Sequence, residues 1–212
     1  MGVTIGELSV ADSAEAWEAA GFAVGPDAVV RIGTVGVRLV GRDVGTGIVG
    51  WSLRDVPPGS IDGELDGIPT TAADQPAASA PSHPNGVVSI DHVVLLSPDL
   101  DRTLGALASV GLEPRRHRDG ELGGAPVRQV FYRLGEVVLE VVGSPDTATD
   151  GPASLWGLTH VVADIDATAS LLGESGGRVK DAVQPGRRIT TLRHRDFDMS
   201  VRTAFITPQQ RP

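Results

Sequence analysis

Two apolar segments each carry one side chain able to bind a cation or move a proton. SIDHVVLLSPDLDRTL, residues 89–104, holds His92, and GEVVLEVVG, residues 135–143, holds Glu140. A neutral imidazole and a carboxylate on strands that can lie side by side supply half of what a divalent cation needs. Glu140 is the stronger signal, because a carboxylate inside VVLEVV is costly to bury unless it is paired. It is expected to contact a cation, His92 or a ligand. His92 read alone is equally consistent with a half-buried imidazole bonded to a neighbour. Without a metal, Glu140 beside His92 would form a base or proton relay.

Other candidates surround this pair. The strand PVRQVFYRL alternates Val127, Gln129, Phe131 and Arg133 on one face with Arg128, Val130 and Tyr132 on the other. Gln129 and Phe131 are therefore candidate pocket residues, with ordinary sheet packing as the alternative. The dense basic stretches, Arg115 to Arg118 and Arg187-Arg188, read as solvated loop charge or as an anchor for an anionic substrate. Arg193 and His194 belong to a similar edge. There is no GxGxxG fingerprint after a first strand, no GxxxxGK[ST] loop and no GxSxG elbow, so dinucleotide, nucleotide triphosphate and α/β-hydrolase chemistry lack a motif. His83, His117 and His194 make no local zinc pattern.

These side chains must be positioned by strands and helices, and the order of elements is legible. Val87 to Ser97 reads as a strand, Asp99 to Val110 as an amphipathic helix, and strands follow near Leu112 to His117, Pro126 to Leu134 and Glu136 to Gly143. After a polar break at 144–154 the βαβββ order recurs. Leu155 to Ala163 is a strand, Asp166 to Leu172 a helix, and strands lie near Val179 to Val183, Arg188 to Arg193 and Val201 to Thr207. Asp99 and Asp164 stand where strand gives way to helix, as N-caps do. Residues 1–57 read as a third, degenerate copy, with Asp12-Ser13-Ala14-Glu15 at its helix start. The Pro-, Ala- and Ser-rich stretch 69–86 reads as a linker. It separates an N-terminal module, 1–68, from the larger part, 87–212, with its modules at 87–143 and 155–207. A unit of this kind leaves an open sheet face and edge, so the N-terminal copy is expected to pack on the pair or on another chain, as in a homodimer.

Composition narrows the function classes. The chain has 212 residues, 41% of them hydrophobic, enough for a sizeable core. A net charge of -9 argues against nucleic acid and anionic membranes as partners, and the candidate pocket residues leave a small-molecule ligand as the expected partner. With no cysteine, any metal must use His, Asp or Glu. No leader-like segment or membrane-length apolar run is present, so a cytoplasmic protein is expected.

The tandem βαβββ order, with IDHVVLLSPDLDRTL opening one unit and RLGEVVLEVVG closing it, resembles the vicinal oxygen chelate superfamily. That superfamily includes glyoxalase I, bleomycin-resistance proteins and extradiol dioxygenases. The resemblance covers residues 87–207. It implies an α+β fold in which paired modules form an open cup of mixed sheet with helices on the outer face, the degenerate N-terminal module being an addition. In metal-using members each unit contributes ligands from its first and last strands, which here implies His92 and Glu140 around a divalent ion (Zn, Ni, Mn, Mg or Fe). A lyase, isomerase or dioxygenase step on an oxygenated metabolite would follow. The alternative implied is a metal-free binding or sequestering protein of the bleomycin-resistance type.

The second unit does not complete the set by spacing. His160 in LTHVVADID matches His92 by eye, but Asp99 lies seven residues after His92 and the position seven before Asp164 is Gly157. A three-residue offset turns His160 to the opposite face of its strand. Counting back from Pro145 and Pro208, the residue matching Glu140 is Thr203, whose neutral hydroxyl is a poor metal ligand. Gly157 and Thr203 are thus expected to line the ligand site without holding metal. Two ligands, His92 and Glu140, fall short of the three usual in catalytic zinc sites.

Overall fold

The computed structural model describes residues 2–74 and 79–209. The C-terminal part contains two complete units. The first runs β7 (Val87–Leu96), α2 (Leu100–Ser109), β8 (Pro114–Leu122), β9 (Ala125–Leu134) and β10 (Val137–Gly143). The second runs β11 (Ser154–Val162), α3 (Ile165–Leu172), β12 (Lys180–Asp181), β13 (Arg188–Thr191) and β14 (Arg202–Ile206). In each, the last strand returns parallel to the first, β10 on β7 and β14 on β11, and the other two strands follow outward. The helix between first and second strands makes that parallel return sterically possible.

Local sequence explains the helix boundaries. Asp99 accepts a hydrogen bond from the Arg102 amide at 3.1 Å, and Asp164 accepts from the amides of Asp166 and Ala167 at 2.9 and 3.1 Å. Both aspartates are extended N-caps that satisfy donors the helix cannot. Each helix then buries positions i, i+3 and i+7: Leu100, Thr103 and Leu107 in α2, and Ile165, Thr168 and Leu172 in α3.

The N-terminal part is degenerate in a specific way. It runs β1 (Thr4–Val10), α1 (Ala14–Ala19), β2 (Val29–Ile32), β3 (Val35–Leu39), β4 (Ile48–Arg54), β5 (Glu64–Leu65) and β6 (Ile68–Ala72). The strand parallel to β1 is β3, whereas β4 lies antiparallel on the other side of β1 and takes β6 as its own parallel partner. The antiparallel contact of β1 with β4 therefore mirrors that of β7 with β11. The helix starts at an N-cap Ser13, whose hydroxyl accepts from the Ala16 amide.

All of this joins into one sheet, ordered β2-β3-β1-β4-β11-β7-β10-β9-β8, with β6 extending from β4 and β14-β13-β12 from β11. One hydrophobic core runs through both parts, from Ile5 and Trp17 to Leu139 and Phe205. The N-terminal copy thus packs on the pair within the same chain. Trp17 of α1 and Phe22 meet the His160 ring edge-on, and Phe22 stacks on Phe205. Fully buried Asp12 accepts from the Trp17 indole at 3.1 Å and from the Ser200 amide and hydroxyl at 2.8 and 2.6 Å, tying α1 to the far end of the chain.

The stretch expected as a linker is structured at both described ends. β6 occupies residues up to Ala72, and His83 and Asn85 are buried. His83 Nδ1 accepts from the Ala23 amide at 3.0 Å, and Asn85 donates to the Ala20 carbonyl at 3.1 Å. Residues 75–78 lie outside the described residues. No described helix is long and apolar enough to cross a membrane.

Candidate functional site

The pairing register decides which side chains share a face. His92 pairs with Val138, and Glu140 pairs with Val94, so His92 and Glu140 project from adjacent parallel strands to the same side of the sheet. On β9, Phe131 lies opposite Glu140, Gln129 opposite Val142 and Arg133 opposite Val138. The face carrying Gln129 and Phe131 is therefore the one that meets Glu140. Tyr132, Val130 and Leu134 are buried on the other face. Helix α2 lies on that other face too, its buried Leu107 and Leu95 of β7 lining one small hollow. The side chains on the first face open onto a cup of about 900 Å³, whose lining includes Asp91, His92, Phe131, Arg133, Glu140 and Arg187.

Polar contacts organise the wall. Arg118 donates to the Gln129 side-chain oxygen from Nε at 2.8 Å and from Nη2 at 2.5 Å, and Gln129 Nε2 donates to Glu140 Oε1. The Arg116 guanidinium stacks over Phe131 at 4.3 Å. The basic stretch at 115–118 is thus partly recruited to the cup rather than wholly solvated.

Two cup residues escape a reading by strict alternation. Across the β7–β11 pair, Ile90 faces His160 and His92 faces Thr159, leaving Asp91 as an extra residue in a β-bulge. The bulge brings Asp91 to the same side as His92. His92 Nδ1 donates to Asp91 Oδ2 at 2.8 Å, and Arg187 donates to Asp91 Oδ1 at 2.6 Å. Burial pushes the Asp91 carboxyl up, but the hydrogen bonds from His92 and Arg187 outweigh it and hold it below its ordinary value. His92 has Asp91, not Glu140, as its hydrogen-bond partner. The signal was in the sequence: Ile90 and Val93 both face the core, and two polar residues between two core positions break a period of two.

Of the second unit's candidates, none of Gly157, His160 and Thr203 lines the cup. His160 is fully buried on the face away from the cup, ringed by Trp17, Phe22 and Phe205, and neither ring nitrogen has a hydrogen-bond partner. Burial drives its pKa down to about 3. Gly157 pairs with Val94 on the cup side, yet a Cβ there would meet the Arg202 carbonyl oxygen at 2.8 Å. No side chain of any kind fits at that place. Thr203 requires a correction. It pairs with Leu158, faces the core with His160, and donates to the Val201 carbonyl at 3.1 Å. The register match to Glu140 is Ala204, which pairs with Thr159 as Glu140 pairs with Val94. Counting from the prolines was off by one residue, and one residue reverses the face.

This donor set does not fit a resident divalent ion. Among the described residues no group of three or more His, Asp or Glu is placed to hold one. The two further carboxylates of the cup are engaged elsewhere, Asp91 by Arg187 and His92, and Glu136 by the Thr34 amide and hydroxyl. Arg116, Arg133 and Arg187 line the same cup and oppose a cation.

No known family description matches the sequence, and no curated protein does. Solved structures do match. A mutant 4-hydroxymandelate synthase from Streptomyces coelicolor is 15% identical with a TM-score of 0.63, over 100% of this chain and 93% of that one. A catechol 2,3-dioxygenase is 13% identical with a TM-score of 0.57, over 100% and 97%. An extradiol ring-cleaving dioxygenase from B. fuscum is 13% identical with a TM-score of 0.58, over 99% and 72%. From β1 to β14, the chain carries the fold of the vicinal oxygen chelate superfamily.

Proposed function

We propose that this protein binds a small oxygenated molecule in the cup around His92 and Glu140, without a resident metal. The observation that carries this reading is convergence. His92, Phe131 and Glu140 come from three different strands onto one cup of about 900 Å³, with Gln129 fixing Glu140 from behind. That volume suits a metabolite-sized ligand. Phe131 and Val138 offer an apolar wall, and His92 and Glu140 offer acceptors for hydroxyl or hydrated carbonyl groups. A lyase or isomerase step would use the same pair for proton transfer, and a sequestering protein would use it for binding alone. Both are metal-free versions of this reading.

The competing reading is a metal-dependent lyase, isomerase or dioxygenase, in which His92 and Glu140 hold an ion completed by the ligand. Metal analysis by mass spectrometry, on untagged protein prepared without chelator, separates the two. Native protein is expected to carry no stoichiometric metal. Thermal-shift screening with two- to six-carbon hydroxy and keto acids should then find stabilising compounds whose effect is lost in His92→Ala and Glu140→Gln. Near-stoichiometric metal abolished by both substitutions would overturn the metal-free reading.

A further inference from the structure

His83, His160 and His92 sit in three different environments. His83 has both ring nitrogens engaged, Nδ1 by the Ala23 amide at 3.0 Å and Nε2 by the Arg31 carbonyl at 2.9 Å. His160 has neither engaged. His92 has one of each: Nδ1 is held by Asp91, while Nε2 has no protein partner among the described residues and the ring lines the cup. The holding group is itself held. Asp91 accepts from Arg187, which is only 6% exposed and whose Nε donates to the Thr207 carbonyl at 2.7 Å. A carboxylate on Nδ1–H selects one tautomer and stabilises the imidazolium when the ring takes a second proton. The β-bulge is what makes the contact available, since neighbouring residues on a regular strand point to opposite faces.

We propose that Asp91, anchored by Arg187, is a positioning residue that holds His92 as its Nδ1–H tautomer and turns the Nε2 lone pair into the cup to accept a proton from the bound molecule. The inference deepens the cup reading and rests on it. The proton donor is a hydroxyl, or a C–H beside a carbonyl, of a hydroxy- or keto-compound. A new Nε2–H bond forms as the ligand O–H or C–H bond breaks. The electron pair stays on the ligand as an alkoxide or enolate, and Asp91 pairs with the resulting imidazolium. Returning the proton to the same or a neighbouring atom completes the cycle with no net redox change.

The test reads the tautomer directly, in ligand-free protein. Histidine-labelled ¹⁵N protein at pH 8, examined by long-range proton–nitrogen correlation, gives each imidazole's protonation pattern. His92 is expected to show Nδ1–H with a bare Nε2, opposite to His83, whose Nε2 donates to a carbonyl and serves as an internal reference. In Asp91→Ala, His92 should move to the Nε2–H form while the His83 and His160 signals stay in place. An Nε2–H pattern in the native protein, or a His92 pattern unmoved by Asp91→Ala, overturns the positioning role. Should Asp91→Ala fail to fold, the native spectrum alone decides. Because no ligand is present, a failed ligand screen leaves this readout untouched, and a wrong tautomer in a protein that binds ligand sinks only the positioning chain.

Discussion

Glu7 and Arg38 occupy in the N-terminal half the places that His92 and Glu140 occupy in the C-terminal half. Glu7 pairs with Gly36 and Ser9 with Arg38, as His92 pairs with Val138 and Val94 with Glu140. The correspondence extends to irregularities. Gly6 is the extra residue in β1 where Asp91 is extra in β7, and Val49 is extra in β4 where Trp156 is extra in β11. A Cβ at Gly50 would meet the Pro69 carbonyl oxygen at 2.9 Å, as one at Gly157 would meet that of Arg202 at 2.8 Å. Thr70 and Thr203 each donate to the carbonyl two residues back. The backbone plan is repeated, and the chemistry is not. Arg38 grips Glu7 through two bonds, at 2.6 and 2.9 Å, over a hollow of about 370 Å³, so the N-terminal pair satisfies itself. His92 and Glu140 are each held from behind, by Asp91 and by Gln129, and each presents its remaining polar capacity to a larger cup.

The two halves share one hydrophobic core, and Trp17 sits where they meet. It is fully buried, 4.7 Å from the Phe22 ring, edge-on to His160, and bonded to Asp12. Trp17→Ala is expected to lower stability by about 4 kcal/mol, as large aromatic truncations do. Urea unfolding should remain a single transition at a lower midpoint. Two separated transitions would show that the halves are independent and that their likeness has no mechanical consequence.

The residue that matches His160 in the N-terminal half is Leu53, also fully buried. The N-terminal half fills this place with an apolar side chain. With its pKa lowered by burial from 6.5 to about 3, His160 is bound neutral in the folded chain and gains a proton on unfolding. Its contribution is therefore fully present above pH 6.5 and drains away as pH falls toward 3. The slope is at most about 1.4 kcal/mol per pH unit. His160→Leu should remove most of that acid slope, leaving the part due to His83, whose pKa burial also lowers. It should also stabilise the protein at neutral pH by about 1 kcal/mol, since two unpaired ring nitrogens are removed from the core. Denaturant melts of both proteins at pH 5 and pH 8 check this, and an unchanged acid slope would refute it.

What could be read in the sequence follows from which features are periodic. The strands and helices of the C-terminal units were legible because their apolar spacing and N-cap aspartates are local signals, and Asp99 and Asp164 cap as expected. The common face of His92 and Glu140 follows from the register of the parallel pair, His92 against Val138 and Val94 against Glu140, which the sequence does not print. The bulge at Asp91 was not read, because a single inserted residue leaves composition unchanged and alters only phase. Thr203 failed for the same reason, through a one-residue error in register. The N-terminal half misled differently. With β4 following β3 closely, it read as the close of one unit, yet β4 lies antiparallel to β1 and β6 is its parallel partner. Pairing direction is a long-range property that no local window contains. Arg187 is legible in the sequence as a charge but not as a buried one, since its partner Asp91 lies in a different unit.

The smallest expected effects come from exchanging charge for shape at the two matching pairs. Glu140→Gln keeps an oxygen for the Gln129 amide to bond, so stability should change by less than about 0.5 kcal/mol. Affinity for any hydroxy or keto acid found by screening should nevertheless fall about tenfold, because an acceptor carrying full charge becomes a neutral amide. Glu7→Gln is the control. Its pair with Arg38 is partly exposed, so it should cost less than about 1 kcal/mol and leave that affinity unchanged. Calorimetric titration of the same acid into both variants decides the matter. Equal losses would mean that both hollows take ligand, and that the N-terminal ion pair is a gate rather than a seal. A loss confined to Glu140→Gln would place ligand recognition in the half where the repeated backbone leaves its polar side chains unspent.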